Sequence, residues 1–229
     1  MKHTDVIKEL NKLADKKKAK LLARFFKTGK GQYGYGDVFI GVTVPKQREV
    51  VKKFSDLPIS ESQKLLKSKI HEHRLTALLI LVKQFEENQE KIFNLYLKNT
   101  KYINNWDLVD LSAPNIVGEY LYQKPRKILY KMAGSKSLWE RRIAVLSTFY
   151  FIRQEDFKDC LKIAEILLED KHDLIHKAVG WMLREVGKRD KKVLVQFLNK
   201  HLKKMPRTTL RYSIERFSEK ERQKFLSAH

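Results

Sequence analysis

The sequence predicts an all-α fold, a solenoid of stacked two-helix repeats whose concave groove is basic. The first observation is a period, since intervals of 36, 32, 35 and 34 residues separate Arg74, Asp110, Arg142, Lys177 and Arg211. Each of these residues stands early in an apolar run with helical spacing. Glycine and proline are scarce, with 9 and 5 residues, and strand-like alternation is almost absent. A period of about 34 residues is typical of helix pairs that bury their apolar faces only by stacking on their neighbours.

The starts of individual helices are predicted from capping residues. Ser, Thr and Asp side chains at an N-cap accept hydrogen bonds from the first unpaired N–H groups of a helix. In chain order the candidates are Thr4, Ser60 with Gln63, Ser137, Asp190, and Ser218 with Glu221. Three prolines fit the first turn of a helix, namely Pro45, Pro114 and Pro206. No linker-like segment interrupts this pattern, so residues 1–229 are expected to form a single domain.

One segment, residues 28–44, lacks a helical pattern. Its residues Gly29, Gly31 and Gly34 spell G-x-G-x-x-G, which binds dinucleotides when it lies between a strand and a helix. Here the helix-like run KLLARFFK precedes it, so we reject a dinucleotide site. Two interpretations stay open, a mobile or phosphate-contacting loop and an ordinary connector between helices.

The charge balance indicates an anionic partner. Lysine and arginine number 48 against 27 acidic residues, which gives a formal net charge of +21. An excess of this size favours nucleic acid or an anionic membrane surface. No apolar run approaches the roughly 18 residues that span a bilayer, and the first ten residues lack the apolar core of a signal peptide. The single cysteine, Cys160, excludes an internal disulfide and fits a reducing compartment. These features predict a cytoplasmic, basic protein. We further expect it to be nucleoid-associated and monomeric and not to engage a membrane.

The histidines supply no convincing metal site. His71 and His73 are two residues apart, which separates them by about 200° around a helix, so they cannot bind one ion together. His172 and His176 have the i,i+4 spacing of ligands, but no third ligand lies near them in sequence. We predict neither a metal nor a cofactor.

Trp106 and Asp110 are the strongest candidates for a reactive site. At i,i+4 they share one face of a helix that follows the polar pair Asn104-Asn105. Asp107 could pair with Asp110, but an acid in a first helical turn usually complements the helix dipole. For Asp110 the competing interpretation is a salt bridge to Arg142 or Lys177.

Trp181 lies one turn beyond Lys177, so it can share the helix face that carries the basic residues. Its neighbour Gly180 is small and would let a large surface approach the helix. For Trp181, as for Trp106, packing in the core is the competing interpretation, since tryptophan is highly buried on average.

Four separated motifs resemble one known family. The pieces VFIGVTVPKQREV, NNWDLVDLSAP, LWERRIAVL and KAVGWMLREVGK are similar to motifs of the DNA alkylation repair glycosylases built from HEAT-like repeats, the AlkD type. The resemblance covers about residues 20–215 and implies a right-handed superhelical solenoid of HEAT-like repeats. It also implies that Asp110 is catalytic, that Trp106 and Trp181 contact the damaged nucleotide, and that Arg142 is an active-site arginine.

The same resemblance implies hydrolysis of the N-glycosidic bond of cationic N3- or N7-alkylated purines by a monofunctional glycosylase. The expected partner is double-stranded DNA containing alkylated bases, contacted by Arg48, Arg74, Lys177 and Arg211. Two other classes stay open, a non-catalytic repeat module that binds bent or branched DNA and a protein-binding scaffold. The scaffold predicts an acidic or apolar groove, whereas the module and the enzyme differ only in the need for Asp110 and the two tryptophans.

Overall fold

The computed structural model describes residues 1–229 and is all-helical, as predicted. Its one extended contact is an isolated parallel bridge between Val38 and Ile70. The chain divides into two compact units, unit 1 (Met1–Ser112) and unit 2 (Ala113–His229). The single domain expected from the sequence therefore stays a prediction. None of the helices combines the length and the apolar character needed to cross a bilayer.

Unit 1 consists of seven α-helices and one short 3-10 helix, Thr100–Tyr102. The α-helices are α1 (His3–Lys12), α2 (Lys16–Phe25), α3 (Val44–Lys53), α4 (Ile59–Leu66), α5 (His71–Lys83), α6 (Gln89–Lys98) and α7 (Trp106–Asp110).

Unit 2 begins with a π-helical turn, Pro114–Gly118, that continues directly into α8 (Glu119–Leu121). The following helices are α9 (Lys127–Ala133), α10 (Leu138–Arg153), α11 (Lys158–Leu167), α12 (Asp173–Arg189), α13 (Lys191–His201), α14 (Arg207–Ser213) and α15 (Glu219–Ser227), with the 3-10 helix Leu202–Lys204 after α13.

The predicted period corresponds to real helix positions. The helices α5, α7, α10, α12 and α14 begin at residues 71, 106, 138, 173 and 207, and each periodic residue is the fourth or fifth of its helix. Within unit 2, α10 packs on α12 and α12 on α14, while α9 packs on α11. Within unit 1, α3 packs on α5 and α5 on α7. Within each unit, alternate helices thus stack on one another, which is the packing expected of helical repeats.

Two helices lie in the interior on nearly all sides. In α5 the residues 71–78, 80 and 81 are buried, and in α10 the residues 142–148, 151 and 152 are buried. A helix that is buried all round has no solvent face for its polar side chains. The polar residues near the start of α5 therefore need partners inside the protein.

Three of the predicted helix caps are confirmed. The side chain of Ser137 caps α10, that of Asp190 caps α13, and Ser218 forms a capping box with Glu221 at α15. The prediction for Ser60 is wrong, because the carbonyl of Pro58 already accepts from the N–H groups of Glu61 and Ser62. Helix α4 therefore begins at Ile59, and Ser60 lies inside its first turn.

Thr4 is likewise not the cap of α1, which begins at His3 after the N-cap residue Lys2. The carboxylate of Asp5 closes that end by accepting the backbone N–H of Lys2 at 2.8 Å. An acid in the first turn thus replaces the predicted threonine hydroxyl.

Candidate functional site

The helix that carries the two principal candidates has only five residues. At the start of α7, the side-chain oxygen of Asn105 accepts the backbone N–H of Trp106 at 2.8 Å. Asp107 lies in the first turn, as predicted, and its Oδ1 accepts the N–H of Leu108 at 2.8 Å. Trp106 and Asp110 are both half-buried. Unit 1 therefore presents an indole and a carboxylate from one helix, with part of each accessible to solvent.

Helix α6 supports the end of α7. The Tyr96 hydroxyl lies 2.9 Å from the Ser112 hydroxyl, which donates to the carbonyl of Leu108 at 2.5 Å. Burial raises the pKa of Tyr96, the Ser112 hydrogen bond opposes the change, and the negative charge of Asp110 adds to it. Asp110 is therefore within electrostatic range of a neutral, fully buried tyrosine.

Trp106 belongs to an aromatic cluster of Phe25, Phe26, Phe39 and Trp106, in which Phe25 and Phe26 contact the indole. Phe26 stacks on Trp106, with ring centroids 5.1 Å apart and an interplanar angle of 20°, and Phe39 stacks on Phe26 at 5.1 Å. Phe25 meets the indole edge-on at 5.9 Å and is itself 63% exposed. The indole is therefore held on one side by buried rings and bordered on another by an exposed ring at the end of α2.

Beside the aromatic cluster lies a buried charge network of Asp37, His71, Arg74 and Asp107. The His71 ring lies between two carboxylates, with Nδ1 3.1 Å from Asp37 Oδ2 and Nε2 2.8 Å from Asp107 Oδ2. Arg74 Nη2 pairs with Asp37 Oδ1 at 2.7 Å. Burial by itself raises the pKa of Asp37, but the hydrogen bond from His71 and the charge of Arg74 hold it below its ordinary value. The network thus keeps Asp37 ionised in the interior.

The segment before α3 is a structured connector. The carboxylate of Glu72, which is 1% exposed, accepts the backbone N–H groups of Ile40, Gly41 and Val42 at 2.8–3.2 Å. Gly41 has a φ of 85°, and a Cβ there would lie 2.1 Å from the carbonyl oxygen of Asp15. Of the two interpretations left open for this segment, the ordinary connector agrees with these bonds, which also deliver Asp37 and Phe39 to the network and the cluster.

In unit 2, Arg142 lies on α10 and is 5% exposed. Its Nη1 donates to the carbonyl of Leu174 at 2.5 Å, which fixes the orientation of the guanidinium. Trp181 lies half-buried on α12, 5.8 Å from the ring of Phe149, and its Nε1 donates to Glu185 Oε1 at 3.3 Å. The assignment of Arg142 and Trp181 to a reactive site stays a prediction.

Gly180 has a different role from the one expected. A Cβ at this position would lie 2.5 Å from Tyr212 Cβ and 2.7 Å from the carbonyl oxygen of Thr209, both on α14. The surface that approaches Gly180 is therefore the neighbouring helix of the stack, and the glycine permits close helix packing.

The predicted DNA contacts differ in exposure. Arg48 on α3 and Arg211 on α14 are exposed, and Lys177 on α12 is half-buried with its Nζ 2.7 Å from Asp173 Oδ2. Arg74 is 3% exposed and donates to the carbonyls of Ser68 and Lys69 as well as to Asp37. A direct contact between Arg74 and DNA is at odds with this burial, because the guanidinium would have to leave Asp37 unpaired. We correct that prediction and assign Arg74 to the interior of unit 1.

Sequence analysis missed the aromatic cluster and the charge network. The signal for the network was present, since His71, Glu72 and Arg74 open a helix that is otherwise apolar and must therefore find internal partners. The two-residue spacing of His71 and His73 predicted that the two rings face different partners. His73 Nδ1 indeed lies 2.9 Å from the Ser68 hydroxyl, which is not part of the network. No group of three or more His, Cys, Asp or Glu side chains has the arrangement of a metal site.

The fold and the site together define a strongly basic helical-repeat protein with a partly exposed tryptophan–aspartate pair. The family model described as DNA alkylation repair enzyme matches residues 6–217, and the chain belongs to this family. A solved structure, a predicted DNA alkylation repair enzyme from Enterococcus faecalis, has the same fold, with a TM-score of 0.70 over 90% of this chain and 97% of that chain at 15% identity. No curated protein matches the sequence significantly. The family membership gives the protein a role in the repair of alkylated DNA.

Proposed function

We propose that the protein is a monofunctional DNA glycosylase that hydrolyses the N-glycosidic bond of cationic N3- or N7-alkylated purines in duplex DNA. The observation that carries this proposal is the Trp106–Asp110 pair on α7, one carboxylate beside one partly exposed indole. The pair lies in a chain of the DNA alkylation repair family with a net charge of +21.

A single carboxylate is sufficient for such a substrate because of the leaving group. Alkylation at N3 or N7 gives the purine a positive charge, so the base departs as a neutral molecule and no acid has to protonate it. Glycosidases that cleave a bond to oxygen need a second carboxyl group as that acid, because the leaving oxygen would otherwise depart as an anion. Asp107 is engaged with His71 and with the N–H of Leu108, so it supplies no such acid.

The costly species is the sugar, which becomes an oxocarbenium ion as the base leaves. Asp110 is proposed to stabilise this cation by charge and to orient the water that captures it. The indole of Trp106 would add a cation–π attraction of about 0.5–2 kcal/mol. Its stacking on Phe26 holds the indole in place before the substrate arrives, so little ordering is left to binding.

The DNA contacts are proposed to come from cations that are exposed or half-buried. Arg48, Lys177 and Arg211 keep this role from the sequence analysis, and α2 adds Lys16, Lys17, Lys18, Lys20 and Arg24, since none of its residues is buried. Trp181 keeps its proposed contact with the damaged nucleotide. Because Arg142 is 5% exposed and its guanidinium donates to the carbonyl of Leu174, an orienting role suits it better than a mobile phosphate contact.

The test is a panel of duplexes that differ only in one lesion. The protein is incubated with DNA containing 7-methylguanine, hypoxanthine or uracil, and the free base is measured under single-turnover conditions. Release of 7-methylguanine without release of the two neutral bases is expected. Efficient release of uracil would defeat the single-carboxylate mechanism. Binding without release of any base would instead favour a non-catalytic DNA-binding module.

A further inference from the structure

His71 is at the meeting point of three segments of unit 1, and no step of the proposed reaction uses it. His71 is the first residue of α5. Its side chain is 2% exposed, and its ring lies between the carboxylates of Asp37, before α3, and Asp107, in α7. Both ring nitrogens face carboxylate oxygens, which only accept hydrogen bonds when ionised. A neutral imidazole carries one N–H and an imidazolium carries two, so with both carboxylates ionised the geometry requires the imidazolium.

The charges around the ring support the same state. Arg74 faces it from its own helix, Asp37 from the connector and Asp107 from α7, while Glu72 turns its carboxylate to the connector backbone. With His71 protonated, the two cations and two carboxylates of the network sum to zero. Loss of the proton would leave one uncompensated negative charge in the interior, which burial strongly disfavours. Burial by itself lowers the pKa of His71, but the hydrogen bonds to Asp107 and Asp37 outweigh it and raise the pKa.

The network holds a helix that has little stability of its own. Isolated helices shorter than about 12 residues are marginal, and α7 has five. The bond between His71 and Asp107 fixes the first turn of α7. A second connection runs through the rings, since Phe39 stacks on His71 at 4.5 Å and Phe26 stacks on both Phe39 and Trp106. His71 is thus connected to Trp106 in two ways, through Asp107, which follows Trp106 in α7, and through the stacked rings of Phe39 and Phe26.

We propose that the Asp37–His71–Asp107 chain positions Trp106 and Asp110, with His71 held as an imidazolium that joins the connector, α5 and α7. His71 is a positioning residue and touches no substrate. The kinetic consequence of this proposal rests on the proposed glycosylase function, whereas the protonation state and the geometry do not.

The first experiment reads the protonation of His71 directly. The full chain is labelled with ¹⁵N-histidine, the His71 resonances are assigned with His71→Gln, and the pH is raised through the range from about 6 to 9. Both ring nitrogens are expected to stay in the imidazolium range beyond the ordinary histidine midpoint of about 6.5. A neutral ring at pH 7 would overturn the proposal, and this wild-type result stands whether or not any variant folds.

The second experiment uses Asp107→Asn, which keeps the side-chain shape and an oxygen for the N–H of Leu108 but removes the charge that faces His71. The matched control is Glu49→Gln on α3, which changes the net charge equally at a side chain that is 65% exposed and paired only with Lys52. Asp107→Asn should lower the His71 midpoint and slow release of 7-methylguanine at saturating enzyme by about 10-fold or more. DNA affinity should stay within about twofold, because no phosphate contact is removed.

The two proposals fail in different ways. If the wild-type protein releases no base, the glycosylase function is wrong, and the positioning role is then judged by the indole N–H resonance of Trp106, assigned with Trp106→Phe. A shift of that resonance in Asp107→Asn but not in Glu49→Gln supports the positioning role. If the wild-type protein releases base, and Asp107→Asn lowers the titration midpoint of His71 without slowing base release, the positioning role is refuted while the glycosylase function stands.

Discussion

Asp110→Asn separates catalysis from structure most directly. Asparagine keeps the size of the side chain and one hydrogen-bonding oxygen but removes the charge that would oppose the oxocarbenium ion. Asp110 is half-buried, so an effective dielectric constant of about 20 applies, and two unit charges about 4 Å apart then attract by about 4 kcal/mol. Because the sugar carries only part of a unit charge in the transition state, a loss of about 3–4 kcal/mol is the better expectation. At about 1.4 kcal/mol per factor of ten, base release should slow by about 10²–10³-fold.

The assay measures three quantities on the same preparation: single-turnover release of 7-methylguanine, DNA affinity and the melting temperature. DNA affinity should stay equal or rise, because the variant lacks a negative charge that, under the proposed function, would face phosphates. Glu49→Gln is the control for the change in net charge and should leave release unchanged. If Asp110 is a structural residue, the melting temperature, affinity and release should fall together. A stable variant that binds DNA tightly and releases base at the wild-type rate would refute the assignment of Asp110.

Three further outcomes are expected. Arg211→Ala should weaken binding to damaged and intact duplexes alike and reduce the slope of log affinity against log salt by about one unit. Arg74→Ala should leave that slope unchanged but lower the free energy of unfolding by about 3–5 kcal/mol in urea titrations. Glu72→Gln should cost about 3 kcal/mol in the same titrations, because one amide oxygen replaces a buried carboxylate that accepts three backbone N–H groups. Because the pKa of His71 is raised in the folded protein, its protonation contributes fully to the free energy of unfolding below about pH 6.5. This contribution should decline by up to about 1.4 kcal/mol per pH unit as the pH rises through the folded pKa. His71→Gln should abolish this pH dependence.

The sequence was sufficient for the features that local patterns encode. The period located the stacked helices, and short-range capping chemistry placed the starts of α10, α13 and α15. The i,i+4 spacing predicted that Trp106 and Asp110 share one face of a helix, because residues three or four positions apart lie one turn from each other. Each of these inferences depends on residues that are neighbours in the chain.

The surroundings of Trp106 could not be predicted in the same way. Phe26 reaches the indole across 80 residues of sequence, and His71 reaches Asp107 across 36 residues. No local propensity records such pairings, because they depend on how the connector before α3 returns to α5. The polar start of α5 showed that internal partners were needed without showing which residues supply them.

Equivalent positions in a repeat do not imply equivalent exposure. Arg74 and Arg142 occupy the periodic position in α5 and α10, which are buried on nearly all sides, and they are 3% and 5% exposed. Lys177 and Arg211 occupy it in α12 and α14, where the position is half-buried or exposed. A buried arginine donates its hydrogen bonds to internal carbonyls and carboxylates, so it orients other groups. An exposed arginine can donate to phosphates. The four basic periodic residues therefore divide by the burial of their helices into two that are held inside their own unit, Arg74 and Arg142, and two that are proposed to contact the DNA backbone, Lys177 and Arg211.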